Sequence, residues 1–204
     1  MFLFNVWFVG SVQLQMAVRA VPGAGLTVPI WLLGSSMFSA QLSAHLGLPY
    51  AFASHFAPDY LLPALEEYRR EFQPSEYLAE PYAMAGMNVV AADTDEEALK
   101  WFTSQQVSAT NMMRGVRQPF GPPIDNIEDY WLPREKPSVE HKLRYAFVGS
   151  ADTVRAKLDE FTKLTGADEL ITTVRIFEPE ACHRSLEILA DVTWIRDQGG
   201  QDAT

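Results

Sequence analysis

Short apolar runs alternate with helically spaced stretches from Arg19 onward, a pattern that confines the chain to βα units built around a parallel sheet. The first run, Val28-Pro29-Ile30-Trp31-Leu32-Leu33, lacks polar alternation, as suits a strand buried on both faces, and Gly34-Ser35-Ser36 closes it. Phe38, Leu42 and Leu46 then step by four, which predicts a helix stopped at Gly47. Tyr50-Ala51-Phe52-Ala53 predicts a second strand. Pro58 sits where a helix can begin, with Leu61, Leu65, Tyr68 and Phe72 as its buried stripe. Ala83 to Ala92 predicts a third strand, and Thr94-Asp95-Glu96-Glu97 reads as a capping box opening a helix to about Met113. Gly149-Ser150 heads a helix with the apolar face Val154, Leu158, Phe161 and Leu164, ended by Gly166. Glu169 to Ile176 is a fourth strand rich in β-branched residues, and the last helix carries Leu186, Leu189 and Val192.

Four strand–helix units fit two α/β architectures, an open doubly wound sheet or half of a (β/α)8 barrel. Barrels commonly run to about 250 residues, so four units in a chain of 204 would make half of one. Pattern alone leaves both open. Gly115 to Pro137 interrupts the alternation, with Pro119, Gly121, Pro122, Pro123 and Pro133 along it, and irregular stretches of that length are usually functional or mobile. Asp197 to Thr204 reads as a polar tail.

Charge and composition exclude some classes of function. A formal net charge of −10 is wrong for a phosphate-backbone binder and for docking on an anionic membrane, so nucleic acid and membrane partners are not expected. The apolar start, Met1 to Met16, has no Lys or Arg before Arg19 and is broken by Asn5, Gln13 and Gln15, unlike a signal peptide or a span. The single Cys182 excludes an internal disulfide and a multi-cysteine zinc site, which is simplest to reconcile with a cytoplasmic location.

Two spots carry chemistry. Gly34-Ser35-Ser36-Met37-Phe38-Ser39 follows a strand and opens a helix, so free first-turn amides and the helix dipole make an anion site there, with hydroxyls from Ser36 and Ser39. The competing reading is that Ser36 only caps the helix. The spacing matches neither a dinucleotide fingerprint nor a P-loop. Ser54-His55-Phe56 follows the next strand, again at the end where α/β proteins bind ligands. His55 there is a candidate donor, acid or base, or a plain loop residue. His45, His141 and His183 lack metal-ligand spacing, and no metal site is expected. Cys182 has no nearby activating base, and there is no G-x-S-x-G elbow.

The stretch VRAVPGAGLTVPIWLLGSSMFSAQLSAHLGLPYAFASHFAP, Val18 to Pro58, resembles the luciferase-like monooxygenase family, in the branch related to alkanal monooxygenases. MNVVAADTDEEA and VGSADTV…GADELITT resemble later units of the same branch. The resemblance implies a (β/α)8 barrel binding FMN at the C-terminal ends of its strands, with reduced flavin, often delivered by a separate reductase, reacting with O2 on a small organic substrate. On that basis 18–196 corresponds to strands five to eight, and Gly34, Ser35, Ser36 and Ser39 to the phosphate turn. Ser54, His55 and Phe56 would lie near the flavin ring, and the 115–137 insertion would help cover the site. A deazaflavin in place of FMN is compatible with the same residues. Residues 1–17 do not resemble the family, and the strands before the match are missing, so the chain reads as truncated. A half barrel exposes two strand edges, which implies a homo-oligomer, a borrowed strand such as Phe2 to Phe8, or a non-catalytic flavin- or phosphate-binding remnant that dimerises.

Overall fold

The computed structural model describes residues 28–199, with side chains described as far as Thr193. The expectations for 1–17 and for the last five residues lie outside that range. The elements are β1 (Leu32–Gly34), α1 (Met37–Leu46), β2 (Tyr50–Phe52), α2 (Leu61–Glu71), β3 (Ala83–Ala91), α3 (Asp95–Met113), α4 (Lys136–Lys142), β4 (Ala146–Gly149), α5 (Ala151–Thr165), β5 (Glu169–Val174) and α6 (Pro179–Gly199). Single 3-10 turns cover Pro58–Tyr60 and Ile127–Asp129.

Every described strand pair is parallel, and β3 organises them. Met84 and Ala85 pair with both β2 and β5, so those two strands occupy opposite edges of β3. Asn88 and Val89 pair with both β4 and β5, which puts β4 on the β2 edge, beyond the end of β2. The main path is therefore β1-β2-β3-β5 in chain order, with β4 as a short extension. Sequence reasoning missed β4 because four residues inside a loop-rich stretch carry too little periodicity to stand out. A doubly wound sheet reverses its strand order and carries helices on both faces. Here the order never reverses, and α1, α2, α5 and α6 bury one continuous core against the same face, through Tyr50, Phe52, Ala83, Ala85, Met87, Val89 and Ala91. This is part of a barrel wall of the (β/α)8 type.

The helix stripes differ from expectation in three places. α1 buries Ala40, Ser43 and Ala44, while Phe38 is 72% exposed and Leu42 and Leu46 are only partly covered. α1 packs against α2, and small side chains let the two helices approach, which turns the large ones outward. α5 buries Val154, Leu158 and Phe161 as expected, but the stripe continues to Thr165 and leaves Leu164 53% exposed. α6 buries Ser185, Ile188, Leu189 and Val192 and exposes Leu186, and it continues to Gly199 through the first part of the predicted polar tail. The expected first strand is also shorter than the apolar run. Val28 and Ile30 precede it, and Leu33 within it is exposed instead of buried on both faces, because β1 has a described partner on one edge alone.

The 115–137 stretch is folded, not loose. Trp131 and Val139 pack on Ala109 of α3, and the Arg114 guanidinium grips Glu135 with two hydrogen bonds of 2.9 and 2.7 Å. Arg114 also donates to the Tyr130 carbonyl, and Tyr130 donates to Asn111 on α3 at 2.7 Å. Arg114, and then the Leu132 amide, hold the Glu135 carboxyl down at about 2.

Two outcomes are expected. Leu65→Ala, at a fully covered position, should cost about 2–5 kcal/mol in chemical denaturation, against about 0.5 kcal/mol or less for Leu164→Ala; equal losses would contradict the assigned stripes. Because the Glu135 carboxyl is depressed in the fold, its contribution is complete above its ordinary value near 4.5 and fades as pH falls toward about 2. Protection factors of the 127–142 amides, taken relative to intrinsic exchange at each pH, should fall over that window, and Glu135→Gln should flatten the dependence.

Candidate functional site

In a parallel βα array the strand ends and helix starts converge on one side, so the loops after β1 and β2 are neighbours by construction. The turn after β1 begins with Gly34, whose backbone carbonyl receives the Ala53 amide from the end of β2 at 2.8 Å. A Cβ on Gly34 would stand 2.2 Å from Ser39 Oγ, so only glycine leaves room for that hydroxyl. Ser36 caps α1 with extended backbone, and the pair forms a reciprocal capping box: the Ser39 amide donates to Ser36 Oγ and the Ser36 amide donates to Ser39 Oγ, both at 3.3 Å. Ser39 Oγ donates to the Ser36 carbonyl at 2.7 Å and lies 3.0 Å from Tyr50 Oη, which ties the turn to the core. Burial raises the Tyr50 pKa, and the Ser39 bond partly opposes it.

The capping reading of Ser36 is thus what the geometry shows, and it leaves an anion site compatible with it. The first-turn amides of Met37 and Phe38 have no acceptor within the helix, by the geometry of any α-helix start. The Ser36 hydroxyl is exposed, and its own donated contact is a long one of 3.4 Å to Ser39 Oγ. Ser35 stands half-buried beside it.

After β2, Ser54 is fully buried and donates a short hydrogen bond to the Gly86 carbonyl of β3. That tether sets the position of the next residue. His55 lies over Gly86, so closely that a Cβ there would come within 2.8 Å of its Nδ1. Nδ1 is buried and has no hydrogen-bond partner among the described residues. Burial pushes the imidazole pKa down, and the Gly86 backbone opposes it in part. The His55 and Phe56 rings touch at 4.2 Å between centroids, with Phe56 exposed.

Gly86 belongs to the row Met84, Gly86, Asn88 and Val90, which faces away from the four helices and lines what is the inside of a barrel. Two further groups on this row escaped sequence reading. Asn88 accepts a short hydrogen bond from Thr173 of β5, joining two strands across the face beyond His55. Next along, Val90 packs with Ala98 and Phe102 of α3, Val148 of β4 and Ile176. So α3 covers this end of the inner face, with Ala181 and Cys182 at the start of α6 packed against the same cluster. Gln105 donates to the Arg175 carbonyl at 3.0 Å, and the Arg175 guanidinium stacks on Phe120 of the insertion at 4.8 Å. Nothing in linear sequence brings Asn88 to Thr173 or Gln105 to Arg175, because both pairings arise from strand register and helix docking.

The other singled-out residues lie elsewhere. His141 pairs with Asp59 at 2.6 Å on the surface, and His45 and His183 are exposed. Cys182 is free and packs against the α3 cluster. Among the described residues no three or more His, Cys, Asp or Glu side chains gather as a metal site, and no helix is long and apolar enough to cross a membrane.

Comparison with known proteins agrees with this geometry. A luciferase-like monooxygenase of Escherichia coli (strain K12) is 46% identical over 175 residues, which cover 86% of this chain and 52% of that protein. The chain spans about half the length of the curated relatives it matches. The crystal structure of apo-MsnO8 superposes with a TM-score of 0.70 at 28% identity, over 87% of this chain and 54% of that one. The oxygenating constituent of 3,6-diketocamphane monooxygenase from Pseudomonas putida, solved with FMN, shares the fold at a TM-score of 0.52 and 17% identity, over 79% of this chain and 47% of that one. The family model for luciferase-like monooxygenases matches residues 6–169. By that match over most of its length, this chain belongs to the luciferase-like monooxygenase family.

Proposed function

We propose that this chain carries the phosphate turn and part of the ring site of an FMN-dependent monooxygenase, which acts with reduced flavin and O2 on a small organic substrate. The observation that carries the reading is the pairing, at the ends of adjacent strands, of the open α1 N-terminus with a buried, partnerless His55 nitrogen. The residues fit such a cofactor. The Met37 and Phe38 amides and the Ser36 hydroxyl would take its phosphate, with Ser35 alongside and Ser39 and Gly34 holding the turn's shape. His55, set by Ser54, would offer its neutral ring to a polar edge of the flavin, satisfying the nitrogen that the fold leaves unpaired. FMN, when bound and reduced, would supply two of the four electrons that reduce O2, the substrate supplying the other two as it takes up one oxygen atom and the second leaves as water.

The chain's own groups bind, orient and keep water out. The apolar layer of Val90, Ala98, Phe102 and Val148 closes the inner face beyond Asn88, and the insertion braces α3 over it. Reduced flavin would arrive from a separate reductase, which suits a site that opens at the strand ends.

Ser36→Asp separates cofactor binding from helix capping, since aspartate caps as well as serine but repels phosphate. In flavin-fluorescence titrations of the chain it should weaken FMN by about tenfold or more and leave riboflavin, which has no phosphate, unchanged, with the same circular dichroism. Unaltered FMN affinity would sink the phosphate assignment. For His55, whose folded pKa lies below the ordinary value near 6.5, the stabilisation is complete above 6.5 and is lost as pH falls below it, because the unfolded chain takes up the proton first. An NMR titration should place its midpoint below the ordinary value near 6.5. A midpoint at or above the ordinary value would contradict the buried, neutral ring.

A further inference from the structure

We infer that Asn88 is a second hydrogen-bonding group of the ring site: its side-chain amide, aimed by Thr173, donates to a carbonyl oxygen of the flavin. The inference rests on the flavin reading above and names a residue that reading does not use. Asn88 lies in β3, which at this point has a strand on each edge, β4 on one and β5 on the other. Its place in the sheet is therefore set inside the described wall. The residue is 7% exposed. Thr173 Oγ1 donates to its Oδ1, so the oxygen end of the amide is engaged and the NH2 end is left over. Nδ2 donates to nothing among the described residues. A buried amide with an unused donor is costly unless something completes it, and an aliphatic side chain at position 88 would strand no donor at all.

A second unsatisfied group stands one step away in the same row. His55 lies over Gly86, and its buried Nδ1 has no partner among the described residues. Gly86 and Asn88 are separated by one two-residue strand repeat, about 6.6 Å. Two groups on one face at that spacing suit a single flat ring with polar atoms along an edge. The pyrimidine edge of a flavin alternates carbonyl oxygens with an N–H. A neutral imidazole brings one donor and one acceptor, and the Asn88 NH2 brings donors only, which selects a carbonyl oxygen as its partner. Next along the row, Val90 is packed under Ala98 and Phe102. Asn88 is thus the last polar side chain of the row before an apolar layer, where water competes least with the bond. Thr173 acts through Asn88 and is a positioning residue.

The probe is riboflavin, which reports on the ring without the phosphate turn, titrated into the 204-residue chain by flavin fluorescence. Asn88→Leu should keep the circular dichroism and raise the Kd by about tenfold, for riboflavin and FMN alike. Difference infrared spectra of bound riboflavin should show a ring carbonyl stretch moving to higher frequency as the hydrogen bond is lost. Thr173→Val should weaken riboflavin several-fold, Thr173→Ser should restore it, and in the Asn88→Leu background Thr173→Val should add nothing. If Asn88→Leu fails to fold, Thr173→Val against Thr173→Ser decides the matter, since both keep the amide. Unchanged affinity and carbonyl stretch in the folded variants, with FMN still bound, would overturn the assignment of Asn88 and leave the flavin reading standing; water alone would then meet the amide. A wild-type chain that binds neither FMN nor riboflavin would overturn both together.

Discussion

The nine residues of β3 carry the hydrogen bonds of three other strands, and the rest of the described fold depends on that pairing. Its odd-numbered side chains, from Ala83 to Ala91, meet the four outer helices and are almost completely covered. Met87 and Val89 among them each contribute on the order of 1.5–3 kcal/mol by burial. Its even-numbered positions point the other way and build the site. A slip of one residue would exchange the two sets, placing Asn88 in the core and Met87 inside the barrel, so the register is strongly specified.

Small side chains in this strand connect packing to chemistry. Gly86 leaves the space that His55 fills, and the Ser54 hydroxyl on the Gly86 carbonyl keeps the imidazole there. The cost is a buried ring nitrogen with no partner among the described residues. The turn after β1 follows the opposite logic. Its two serine hydroxyls accept each other's backbone amides in a capping box, so the shape of the turn is set by its own residues.

The insertion links these parts. Arg114, Glu135, Tyr130 and Asn111 form a polar clamp that fastens it to α3, while Arg175 on Phe120 fastens it to the end of β5. A second tie comes from Asp95 at the start of α3, whose carboxylate accepts the Ser150 amide at 2.6 Å and so caps α5 in place of the Ser150 side chain. Gly149, just before it, has a φ of +150° and no room for a Cβ beside that carboxylate.

By itself, the sequence determined the order of the main strands and helices, because burial periodicity is local: Leu61, Leu65 and Tyr68 declare their stripe, and Thr94 and Gly166 declare helix limits. It also located the turns after β1 and β2, since a strand's end and the next helix's start are adjacent in the chain. Only the tertiary structure decided between an open sheet and a barrel wall, because strand order and helix side are non-local. Only it placed Asn88 against Thr173, His55 against Gly86 and α3 over the inner face. It also showed Phe38, Leu164 and Leu186 in solvent. A helix whose neighbours approach closely buries its alanines and serines and turns its large side chains outward, and that choice depends on the neighbour rather than on the helix.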